Sequence, residues 1–77
     1  MEIIPLAQNA FVVALRSGVR LLYSYGSPAA AYVPGVGYLR TEWYISRTTS
    51  AHVSEFSRGN TARAVKHDEI VKIAQEA

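Results

Sequence analysis

Between Phe11 and Tyr25 the chain alternates twice. Phe11, Val13 and Leu15 interleave with Val12, Ala14 and Arg16, and after Ser17-Gly18 the run resumes with Val19, Leu21, Tyr23 and Tyr25 against Arg20, Leu22 and Ser24. A period of two on both sides of a Ser-Gly pair predicts two antiparallel strands joined by a tight turn. The second of these strands carries Leu21, Leu22, Tyr23 and Tyr25, so it is apolar on both faces. That is more than a short helix pair covers, and self-association as a homodimer is expected to cover the rest. With 77 residues there is room for one core and hence a single domain, residues 1–77.

The remaining elements follow from turn and cap chemistry. Gly26-Ser27-Pro28 interrupts the apolar run, and Ala29 to Val33 reads as a third strand with Pro28 tolerable at its start. Val33-Pro34-Gly35-Val36 predicts a type II turn, because Pro fixes φ at the second position and Gly accepts positive φ at the third. Gly37 to Thr41 supplies the return strand, and Glu42 to Arg47, with Trp43, Tyr44 and Ile45, has the propensity for one more. Thr48-Thr49-Ser50 marks a helix start, with Val53 and Phe56 on one face and Gly59 at the stop. Asn60 to Lys66 reads as an edge strand, with a helix as the rival, and Asp68-Glu69 opens an amphipathic C-terminal helix. The expected fold is α+β: an antiparallel meander of about five strands, with the short helix and the C-terminal helix packed on one face.

Several classes of function fall away. The chain has no cysteine, which removes disulfides, thiolate metal sites and cysteine nucleophiles and fits a reducing, cytoplasmic setting. The longest apolar runs, Ala10 to Leu15 and Ala29 to Val33, fall well short of the ~20 residues of a membrane span. His52 and His67 lack carboxylates at ligand spacing other than Glu55 beside His52, so no metal is expected. His52 reads as a packing residue and His67 as a solvent-facing one near a cap. A trio of Ser46 or Ser50, His52 and Asp68 can be assembled only on paper, and there is no G-x-S-x-G elbow. Gly35-Val36-Gly37 lacks the third glycine and the following helix of a phosphate cradle. No catalytic residue, no cofactor and no enzymatic activity are expected.

Charge points instead to contact. Residues 16 to 63 carry Arg16, Arg20, Arg40, Arg47, Arg58 and Arg63 against only Glu42 and Glu55, while Asp68, Glu69 and Glu76 outnumber Lys66 and Lys72 in the tail. Arg suits carboxylate, phosphate and aromatic partners. Tyr and Trp lie between these arginines, a mixture used both by protein interfaces and by surfaces for single-stranded nucleic acid.

The stretch Leu21 to Gly59 resembles a family of small phage proteins of unknown function. Their shared pattern is a strand ending in Ser-Tyr, then Pro-Val-Ala-Ala, a Gly-containing turn, Tyr-Arg-Thr, and Tyr-Ser-x-Thr-Thr-Ser-x-His-Ile leading into a short helix. The matching residues are Ser24-Tyr25, Pro28-Ala29-Ala30, Gly35, Tyr38 with Arg40-Thr41, Tyr44 with Ser46, and Thr48-Thr49-Ser50 with His52-Val53. Ala29-Ala30-Ala31 stands where Val-Ala-Ala is commoner, and Leu39 is inserted. The resemblance implies a phage origin and, because such accessory proteins often block host machines, a counter-defence role such as inhibition of a CRISPR effector. The expected partner is therefore a host protein or ribonucleoprotein complex in the host cytoplasm, engaged without catalysis through Arg40, Tyr44, Arg47 and Arg58. A small nucleic-acid-binding module is the alternative.

Overall fold

The structure, a computed structural model, describes residues 1–43 and 45–76. Six strands form one sheet in chain order: β1 (Glu2–Ala7), β2 (Ala10–Ala14), β3 (Arg20–Ser24), β4 (Ser27–Val33), β5 (Gly37–Thr41) and β6 (Arg63–Val65). The first five make an antiparallel meander. Helix α1 (Arg47–Ser57) then carries the chain to β6, which runs parallel to β5, and α2 (His67–Glu76) follows. The α+β class is as expected, with one strand more and a parallel edge that the α1 crossover imposes.

The turns obey local chemistry. At Pro34-Gly35 the Val36 N–H donates to the Val33 carbonyl at 2.9 Å and Gly35 has φ +83°, the predicted type II geometry. Between β3 and β4, Tyr25 (φ 53°) and Gly26 (φ 81°) are both left-handed, the backbone signature of a two-residue type I′ hairpin turn.

Two expectations about elements are corrected. Among the described residues the extra strand from Glu42 to Arg47 does not form: β5 ends at Thr41, and the Trp43 N–H is taken by the Thr41 hydroxyl at 3.2 Å. The chain has to leave the sheet there because Ser46 caps α1, its side chain accepting from the Thr49 N–H and its carbonyl from the Ser50 N–H. At the other end the helix stops where expected: Arg58 (φ 52°) is the left-handed C-cap and Gly59 after it is also at positive φ (80°). The second correction concerns the helices, which pack on opposite faces of the sheet. Successive strand residues point to opposite faces. The row Val12, Leu22, Ala30 therefore packs with Val53 and Phe56 of α1, and the adjacent row Leu21, Ala31, Leu39 packs with Ile70 of α2. Leu22 and Ile70 are wholly buried, each contributing roughly 1.5–3 kcal/mol. Alanines at 30 and 31 let both helices approach the central strand closely. Each face of β3 thus has its own helix, so the two-sided strand is no ground for self-association.

Candidate functional site

Buried polar side chains gather at one end of the sheet, where β3 and β5 finish and both helices begin. Ser24 is the last residue of β3 and Thr41 the last of β5, at 4% and 1% exposure. Hydroxyls buried to this degree need partners, and each finds an imidazole. Ser24 Oγ lies 2.9 Å from His52 Nδ1, and Thr41 Oγ1 lies 2.8 Å from His67 Nδ1.

The first pair belongs to a longer chain of hydroxyls. Ser24 and Thr49 are hydrogen-bonded at 2.9 Å, and the Ser46 hydroxyl donates to Thr49 Oγ1 at 3.2 Å. A hydroxyl has one proton to give. Ser46 donates to Thr49, and the Ser24 hydroxyl, shared between Thr49 and His52 Nδ1, has one proton for two partners. The chain links exposed Ser46 to buried His52 and ties α1 to β3. Ser24, Tyr25, Ser46, Thr49 and His52, all among the residues that carry the resemblance, meet here; Tyr25's ring lies 6.3 Å from that of His52. In the second pair Thr41 accepts the Trp43 N–H, and the Trp43 indole stacks on His67 with ring centres 3.6 Å apart and planes 15° from parallel. His67 is therefore half-buried and packed, not solvent-facing as expected.

A cleft of about 210 Å³ opens over these groups, with Ser24, Pro28, Ile45, Thr49, Trp43 and His67 in its walls. Two aromatics stand at this end: Trp43 is 59% exposed, and Tyr25, next to Ser24, is 60% exposed. Tyr25 is fixed by a left-handed turn whose N–H reaches the Asn9 carbonyl at 2.8 Å, and Trp43 by its stack.

The arginines expected to make contacts are spread along α1. Arg47 is its first residue and exposed, and Arg58 is its exposed C-cap, roughly 16 Å away at 1.5 Å per residue. Arg40 is exposed on β5 and borders a cleft of about 350 Å³ against α1 with Val53 and Ser54. Tyr44 lies outside the described residues. Arg20, part of the same basic stretch, is used internally: its guanidinium sits 4.6 Å from the Tyr32 ring centre and donates to the Tyr38 hydroxyl at 3.0 Å. Tyr38 in turn meets Phe56 edge-on. The trio of Ser46 or Ser50, His52 and Asp68 is not assembled, since the imidazole's partner is Ser24 and Asp68 is exposed in the first turn of α2. Among the described residues no three of His, Cys, Asp and Glu cluster as metal ligands, and no helix is long and apolar enough to cross a membrane.

Sequence reasoning missed Ser24, Thr41, Trp43 and His67 as neighbours. The available signal was the shared Ser-Tyr and Thr-Thr-Ser-x-His pieces, separated in the chain and joined in space. Neither the curated proteins nor the solved structures contain a match to this chain. A family model does match, over residues 3–72, and so takes in β1 from its second residue, the other five strands, α1 and the first six residues of α2: the chain belongs to the family of unknown function designated DUF8033.

Proposed function

We propose that the protein is a phage accessory protein that acts without catalysis in the host cytoplasm, binding and blocking a host defence complex of protein or ribonucleoprotein. The resemblance to small phage proteins supplies the biological setting. The observation that carries the binding reading is the pair of exposed aromatics, Tyr25 on a fixed turn and Trp43 stacked on His67, at the end of the sheet where the cleft opens. Rigid aromatics with nearby arginine are the usual anchors of protein interfaces, because little side-chain entropy is lost when they are buried. Arg47 at the start of α1 extends this surface, and Arg40 and Arg58 border α1 further along.

The alternative, a nucleic-acid module, loses support from the same geometry. Tyr32 and Tyr38, two of the rings that could serve as stacking platforms, are occupied by each other, by Arg20 and by Phe56.

Titration of the purified protein against the host effector complex tests the proposal. Inhibition should saturate near equimolar ratio, and Tyr25→Ala should weaken it about thirtyfold, the ~2 kcal/mol of a hot spot. Complete inactivation by a small catalytic fraction of protein would refute it. A shift of labelled oligonucleotide with steep salt dependence would favour the nucleic-acid reading.

A further inference from the structure

Strand β1 ends the sheet with its outer edge unpaired among the described residues. Soluble proteins usually guard such an edge with lysine, proline, a bulge or a covering loop. In β1 there is no Lys or Arg, and both Pro5 and the irregularity between Pro5 and Ala7 fall in its second half. Glu2 to Ile4 stays regular, in register with Ala14 to Val12. Ile3 and Ile4 point to opposite faces and are 60% and 41% exposed, with Met1 beside them at 78%. The other edge is built differently: β6 has only three residues and opens with Arg63.

The apolar character continues inward from the edge. On the α2 side, Ile3 aligns with Val13 and Leu21, and Pro5 with Phe11 and Tyr23, whose rings stack at 5.2 Å. The charged residues of these three strands, Glu2 and Arg20, share the row through Ala14 and so lie on the α1 side. Helix α2 rests on β4 and β5. An uncharged strip therefore runs from α2 to the open edge.

We propose that β1 pairs antiparallel with β1 of a second copy across a two-fold axis, joining two six-stranded sheets into one. The occupant follows from the strand itself. Faces match across such an axis when it passes through a residue rather than between two, and centring the pair on the apolar, regular part of the strand puts it at Ile3 or Ile4. Glu2 then lies opposite the partner's Ile4 or the partner's Leu6 and never opposite the partner's Glu2, so no like charges meet and isoleucine meets isoleucine. Pairing of β1 with a second copy's β6 would set a six-residue strand against a three-residue one and grow without closing, whereas the β1 pair closes as a dimer. One strand edge covers less than the ~1,600 Å² of a standard interface, so association belongs in the micromolar range.

Sedimentation velocity of the full chain across the micromolar range should show a monomer–dimer equilibrium. Ile3→Lys should raise the dissociation constant at least tenfold with an unchanged circular dichroism spectrum, and Val36→Lys, at an exposed site on the β4–β5 turn, should leave it unaltered. Because the chain has no cysteine, Ile3→Cys and Ile4→Cys give a direct readout: one of them should cross-link copies under mild oxidation, marking the axis. A monomer at every concentration, a dimer indifferent to Ile3→Lys, or growth beyond the dimer would each overturn the proposal.

Discussion

His52 is buried at 6% exposure with Nδ1 on the Ser24 hydroxyl, so removing either partner strands the other or leaves a small void. His52→Ala and Ser24→Ala should each cost roughly 1–3 kcal/mol in urea denaturation, and the double variant should cost less than their sum because the two act as a unit. Tyr25 predicts the opposite sign. Its left-handed backbone is strained for a tyrosine, and Tyr25→Asn should stabilise the protein by about 1 kcal/mol. If binding through Tyr25 is the protein's task, that gain in Tm comes with weaker inhibition. At Gly35 an added Cβ meets nothing within 4 Å, so the cost of substitution is the positive φ alone. Gly35→Val should lose roughly 1 kcal/mol or more by chemical denaturation and Pro34→Ala less. The last of these rests on a turn readable from four consecutive residues. The His52 network was not readable, because its members are 25 and 28 residues apart and nothing local pairs a strand-end serine with a helix histidine.

At the scale of elements, the sequence disclosed β2 to β5, both helices and the short edge strand β6 because alternation, turn and cap residues and first-turn acids are local signals. It disclosed β1 not at all. Glu2-Ile3-Ile4-Pro5-Leu6-Ala7 lies on an edge, mostly exposed on both faces, so its residues follow no inward–outward period. The segment Trp43-Tyr44-Ile45 misled in the other direction, since strand propensity yields to context. Ser46 decides that context, and Ser46→Ala should cost about 1 kcal/mol through loss of the Thr49 N–H bond, read as a lowered denaturant midpoint with an unchanged slope. Truncating Arg40 and Arg47 together should leave Tm nearly unchanged, as both are exposed; its effect belongs to partner capture.

For the molecule as a whole, the placement of one helix on each face was foreshadowed by adjacent buried pairs, Leu21-Leu22 and Ala30-Ala31, although the first pair suggested a partner chain instead. Two clusters back to back on one sheet depend on the same strands. Leu22→Ala and Ile70→Ala, on opposite faces, should each cost roughly 2–5 kcal/mol, a large part of the stability of a small domain. Both variants should still unfold in a single transition with far- and near-ultraviolet signals coinciding. The stack of Trp43 on His67 bridges the end of β5 and the first residue of α2, and it involves the chain's one tryptophan. The indole loses its stacking partner when α2 lifts away, so the emission of the single tryptophan should change at that moment: the molecule carries its own unlabelled optical gauge of whether that helix is seated.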